Sequence, residues 1–189
     1  MTSAEVGGKS LWAICVDSTS GKILHKVEVL RPREPGPTHR MNGYASPTPV
    51  LDGDRVYVNF GPQGTVCLDT AGRIIWKNTG LKYNVVHGGG SSPVLQGDRV
   101  ILTCDGIDRP FTAALDKRTG KLRWRQPRSH LGRAVAKNAT MPPSRKTEKM
   151  AYSTPLVQAV DGVPQLVSSG AYHAAAYDPQ TGREIWWLP

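Results

Sequence analysis

A recurring strand-turn-strand unit constrains this chain more than any other feature. In its fullest form the unit reads Ala114, Leu115, Asp116, Lys117, Arg118, Thr119, Gly120, Lys121, Leu122, Arg123, Trp124. Ala176, Asp178, Thr181, Gly182 and Trp186 repeat it at the same offsets. Cys67, Asp69, Gly72 and Trp76 form a copy with a turn one residue shorter, and Cys15, Asp17, Ser20, Gly21 and His25 form one with histidine in the tryptophan position. Four copies in 189 residues define a repeat architecture, because a unit this small buries its apolar surface only by stacking on its neighbours.

The residues around each unit complete a four-stranded pattern. Val50 and Leu51, a turn at Asp52–Gly53, alternating Arg55 to Phe60, then Thr65 to Leu68 and Arg73 to Lys77 read as four antiparallel strands. Ser92–Pro93–Val94–Leu95 begins the same order 44 residues after Pro49, and Thr154–Pro155–Leu156 begins it again 62 residues after Pro93. The spacing predicts blades at about 43–78, 87–126 and 151–189, a partial blade at 11–29 and an insertion at 126–149. The strands that should precede Leu11 are missing from the pattern. Residues 30–42, with Pro32, Pro35, Gly36 and Pro37 among charges, read as a connection.

Four-stranded units of 40 to 50 residues predict an all-β fold, a β-propeller with about three and a half blades and an incomplete ring. Twenty glycines and fifteen prolines agree with many tight turns, and no stretch keeps a helical period. No apolar run has the length of a membrane-spanning helix, and the polar start from Met1 to Ser10 carries no export signal as written. Because the first copy begins in mid-blade, the expectation is a segment of a longer ring.

Glycine at 21, 72, 120 and 182 supplies the left-handed backbone of the turn, and Asp17, Asp69, Asp116 and Asp178 cap it by accepting backbone N–H groups. Trp76, Trp124 and Trp186 fall in one slot of the outer strand, which predicts burial between neighbouring blades. Cys15 and Cys67 stand where other copies have Ala114 and Ala176, so both are expected to be buried thiols.

With these residues in place, the pattern of Ala, Asp, Thr, Gly and Trp resembles the tryptophan-docking repeat of the pyrroloquinoline-quinone-like (PQQ-like) β-propellers, from Leu11 to Pro189. The resemblance implies either a quinoprotein dehydrogenase or a member without cofactor, such as the periplasmic lipoprotein that scaffolds outer-membrane protein assembly. It also implies a periplasmic or secreted bacterial protein. An alcohol-oxidising quinoprotein would be expected to bring adjacent cysteines, a calcium site and a catalytic aspartate. Cys15, Cys67 and Cys104 are far apart in sequence, and no acid matches that site. No catalytic, cofactor or metal residue is therefore assigned; PQQ and calcium belong only to the dehydrogenase alternative.

The ligand-facing candidates are Tyr44, His87 and Tyr152, which lead into the innermost strands. His87–Gly88–Gly89–Gly90 spells an esterase oxyanion motif, but the chain has no nucleophile elbow, so the glycines are read as close backbone packing. Asp105 and Asp108 read as a solvated acidic loop. The insertion concentrates the net charge of +9: Arg125, Arg128, Arg133, Lys137, Arg145, Lys146 and Lys149 stand against one acid, Glu148. It lacks aromatics, so base stacking is not supported; the insertion reads first as a solvated loop, with polyanion binding as a second alternative. Asn138–Ala139–Thr140 is a glycosylation sequon by spelling only. The leading expectation is a non-enzymatic scaffold or binding segment, its partner another protein or further blades of its own ring.

Overall fold

The computed structural model describes residues 1–128 and 150–189. Among them are fifteen strands in four antiparallel sheets, the arrangement of a partial β-propeller. The first sheet is β1 (Thr2–Ala4), β2 (Leu11–Val16) and β3 (Ile23–Leu30). The second is β4 (Val50–Asp52), β5 (Arg55–Asn59), β6 (Thr65–Asp69) and β7 (Ile74–Asn78). The third is β8 (Val94–Gln96), β9 (Arg99–Cys104), β10 (Phe111–Asp116) and β11 (Leu122–Pro127). The fourth is β12 (Leu156–Val160), β13 (Val163–Gly170), β14 (His173–Tyr177) and β15 (Glu184–Leu188).

The first sheet corrects the expectation that no strand precedes Leu11, since β1 lies there. β1 pairs with β2 through Thr2↔Ala13, Ser3↔Trp12 and Ala4↔Leu11. Three residues, Thr-Ser-Ala, are too few and too polar to show alternation. Their strand is fixed from outside: the Met1 ammonium donates to the Ile14 carbonyl at 2.7 Å, and Thr2 Oγ1 donates to the Ala45 carbonyl at 2.9 Å.

The repeat has the same register in all four sheets. The small residue pairs with the tryptophan position as Cys15↔His25, Cys67↔Trp76, Ala114↔Trp124 and Ala176↔Trp186, and each pair is followed at once by a register shift. That bulge twists the outer strand before its hairpin turn. Three apolar clusters fill the spaces between successive sheets. Leu11, Val29, Val58, Val66 and Leu68 lie between the first and second. Tyr57, Cys67, Trp76, Val100, Leu102 and Leu115 lie between the second and third. Ile101, Ala114, Leu166, Ala175 and Tyr177, with Trp124 against them, lie between the third and fourth.

At each of the last two junctions one tryptophan meets the next turn. The Trp76 indole donates through Nε1 to the Lys117 carbonyl at 3.1 Å, and Trp124 does the same to Pro179 at 3.1 Å. Each acceptor follows the turn aspartate by one residue. The ring then lies on the turn glycine: a Cβ built on Gly120 would meet Trp76 Cε3 at 2.5 Å, and one on Gly182 would meet Trp124 Cε3 at 2.6 Å. Glycine is thus required there twice, by φ of +71° and +75° and by the ring above it. Trp186, in β15, donates instead to Gln165 Oε1 of its own sheet at 2.8 Å.

The turn aspartates act as caps. Asp116 Oδ1 accepts from Arg118 N, Thr119 N and Thr119 Oγ1 at 3.0, 2.8 and 2.8 Å, and Oδ2 accepts from Arg123 Nε at 3.1 Å. Burial alone would raise its pKa; the hydrogen bonds from Thr119 and Arg123 outweigh it and hold the carboxyl down at about 2. Asp17 makes the same cap with Ser20, and Asp178 with Gln180 and Thr181. A further tie is visible at the inner strands. Ser92 Oγ accepts from Thr48 N at 2.9 Å, and Thr154 Oγ1 accepts from Ser92 N at 3.0 Å, so the hydroxyl residue before each proline joins consecutive blades.

Cys15 corrects the sequence expectation. Cys67 and Cys104 are buried, whereas Cys15 is exposed. Its cross-strand partner is His25, and no indole covers it as Trp76 covers Cys67.

Candidate ligand-facing site

The residues leading into the inner strands β8 and β12 gather at one end of the sheets. Tyr152 Oη and His87 Nδ1 are 3.0 Å apart, and their rings lie 6.0 Å apart between centroids. His39 meets His87 edge-on at 5.2 Å, and the Asn42 amide donates to the His87 carbonyl at 2.6 Å. Tyr152 has φ of +56°, uncommon for a residue with a bulky side chain. Its backbone is held there because Asp105 Oδ2 accepts from Ala151 N at 3.2 Å and Tyr152 N at 3.1 Å. Tyr152 Oη also lies 3.1 Å from Met150 Sδ. Burial, and then the negative charge of Asp105, push the Tyr152 phenol upward, so it stays protonated as a donor.

Of the three ligand-facing candidates, His87 and Tyr152 meet in a hydrogen bond, while Tyr44 engages other partners. The Tyr44 hydroxyl donates to the Gly36 carbonyl at 2.8 Å, and its ring packs on Gly8. The glycines after His87 admit close neighbours: a Cβ on Gly89 would lie 3.0 Å from Gly61 Cα, and one on Gly90 would lie 3.1 Å from Tyr152 Cβ.

Asp105 overturns the solvated-loop reading. It is 6% exposed and forms an ion pair with Arg128, which is 3% exposed. Arg128 Nη2 donates to the Ser169 carbonyl at 2.7 Å, tying the third sheet to the fourth. Sequence missed this pair because the partners are separated by β10 and β11, and because Arg128 sits among basic residues that read as a solvated run. Asp108 stays nearer the surface, accepting from Asn84 N at 3.0 Å.

The same pair removes Arg128 from the polyanion set. Arg125 places its guanidinium 3.6 Å over the Phe111 ring. Arg133, Lys137, Arg145, Lys146, Lys149 and the sequon at Asn138 lie outside the described residues.

A calcium-and-quinone centre does not fit the residues described. The oxygens of Asp105 are occupied by Arg128 and two backbone amides. Among the described residues no three His, Cys, Asp or Glu side chains gather as metal ligands, and the cysteines stand apart.

A second concavity lies between the first two sheets. It is an apolar cavity of about 380 Å³ whose walls include Ile14, Cys15, His25, Val27, Leu68 and Gly72. Sequence gave one pointer to it, the histidine at position 25 where other copies carry tryptophan.

No curated protein matches the sequence significantly. Among solved structures, BamB from Moraxella catarrhalis superposes with a TM-score of 0.61 at 20% identity, over 96% of this chain and 47% of that one. Quinohemoprotein alcohol dehydrogenase from Comamonas testosteroni superposes with a TM-score of 0.61 at 16% identity, over 95% of this chain and 33% of that one. The chain therefore spans less than half the length of these relatives, and identities this low speak to the fold alone. No helix among the described residues is long and apolar enough to cross a membrane. The family described as outer membrane protein assembly factor BamB matches residues 9–189, and the chain belongs to that PQQ-like propeller family.

Proposed function

We propose that this chain acts as a protein-binding or scaffolding segment of a BamB-like propeller in the bacterial envelope, periplasmic or outer-membrane-associated, and that it does no redox chemistry. The observation that carries this reading is the state of Asp105. Asp105, the deeply buried acid at the ligand-facing end among the described residues, is committed to Arg128 and to the backbone of residues 151 and 152. A buried carboxylate paired with a guanidinium and two backbone amides is held in a structural role, which suits holding the fold together better than accepting a substrate proton. Family membership supports a partner that is a protein.

The test pairs two measurements on the full-length protein in its own host. Deleting the gene should lower the amount of correctly assembled outer-membrane β-barrel protein, read by heat-modifiable gel mobility, and complementation should restore it. Titration of the purified protein with PQQ and calcium should leave the quinone absorbance unchanged. Unaltered barrel assembly together with quinone-dependent alcohol oxidation would overturn the reading.

A further inference from the structure

The cavity between the first two sheets has the parts of the two tryptophan seats already described. At those seats an indole from the preceding outer strand lies on Gly120 or Gly182 and donates to the carbonyl of the residue after the turn aspartate, Lys117 or Pro179. At the first junction the corresponding turn is Asp69, Thr70, Ala71, Gly72, and Asp69, Thr70 and Gly72 all border the cavity. The preceding outer strand offers His25. A Cβ built on Gly72 would meet no aromatic ring at 2.5 Å as at Gly120, but Val27 Cγ2 at 3.1 Å and His25 Cβ at 3.6 Å. The smaller side chain leaves the seat underfilled, and about 380 Å³ stays open.

We propose that this cavity receives the tryptophan side chain of a partner polypeptide, which packs on Val27 and His25 beside the Gly72 turn and donates its N–H to the Thr70 carbonyl. The volume is within the range of small-ligand sites, and the wall is apolar where Ile14, Val27 and Leu68 stand. An aromatic ring with a single N–H donor suits an apolar wall bordered by the Asp69–Gly72 turn, and the chain itself seats that group at the two equivalent turns. The exposed Cys15 also borders this cavity. That the bearer is a polypeptide rests on the protein-binding reading above. The seat does not.

The probe is N-acetyl-tryptophanamide, titrated into the isotope-labelled protein to millimolar concentration and followed by NMR. The expected result is saturable movement of the Thr70, Gly72 and Val27 signals. The 1-methyl-indole analogue, which cannot donate, should bind about tenfold more weakly, and N-acetyl-leucinamide should not saturate. His25→Trp should fill the seat and abolish binding while the protein stays folded. The wild-type shift map needs no variant and stands if that one fails to fold. Absent shifts, shifts elsewhere, or equal affinity for the tryptophan and leucine amides would overturn the proposal. Barrel assembly in the host is a separate readout, so loss of the seat and loss of the scaffold reading are distinguishable.

Discussion

The turn glycines allow backbone strain to be separated from ring contact by one series of alanine substitutions. Gly21, Gly72, Gly120 and Gly182 have φ of +70°, +86°, +71° and +75°, so each alanine meets a similar left-handed penalty, roughly 1–2 kcal/mol. Their surroundings differ. A new Cβ meets nothing within 4 Å at Gly21 and Val27 Cγ2 at 3.1 Å at Gly72. It meets an indole at 2.5 Å at Gly120 and 2.6 Å at Gly182. Displacing a packed ring adds overpacking strain of roughly 1–3 kcal/mol. Gly120→Ala and Gly182→Ala are therefore expected to destabilise by about 2–5 kcal/mol in total, with Gly21→Ala at the backbone penalty alone and Gly72→Ala between. Urea unfolding followed by far-ultraviolet circular dichroism reads the midpoints, and an unchanged slope keeps them comparable. Adding Trp76→Leu to Gly120→Ala should recover part of the loss, since the two changes share one contact. Equal losses at Gly21 and Gly120, or no coupling with Trp76, would refute the claim that the indole occupies the glycine.

Asp105→Ala leaves Arg128 buried without its carboxylate and should cost about 3–5 kcal/mol, seen as a fall in thermal midpoint; a shift of under a degree would show the pair to be dispensable. The Asp116 carboxyl is held at about 2 against an ordinary 3.8. Its stabilisation is therefore complete above the ordinary value and lost as pH falls toward 2. Asp116→Asn should flatten the acid limb of the stability curve between those limits, measured by urea titration at stepped pH. Cys15 should react with a thiol reagent in the folded state, while Cys67 and Cys104 should react only on unfolding. Burial pushes the Cys67 thiol up to about 11 and Cys104 higher still, so rapid labelling of all three would contradict the packing.

The architecture was legible because the repeat is written in residues whose reasons are local. Glycine at a left-handed turn, aspartate capping it and a small residue opposite a large one each carry a short-range signature that survives at fixed spacing. Propeller, sheet order and tryptophan slot follow from them. What escaped depends on partners distant in sequence. β1 is held by the Ala45 carbonyl, from beyond the connection. The Asp105–Arg128 pair spans two strands, and charge counting placed Arg128 with solvated lysines when it lies buried between sheets. The cysteine reading failed at Cys15 for a related reason: sequence marked a slot for a small residue, but burial of that slot comes from the indole beside it, and His25 is there instead. His87 and Tyr152 were nominated by position, whereas His39 and Met150 complete their surroundings from loops without a periodic pattern.

The indole contacts also give the stack a polarity. Each contact runs one way, from an outer strand to the turn of the sheet that follows, as Trp76 reaches Lys117 and Trp124 reaches Pro179. The two ends of the described stack are therefore unlike: one presents Trp186, hydrogen-bonded to its own Gln165, and the other presents a turn whose Gly21 has open space above it. A twofold axis would bring like to like, tryptophan against tryptophan and turn against turn. Blades added in the same manner can join only head to tail, a heterologous contact that continues around an axis until its two unlike ends meet.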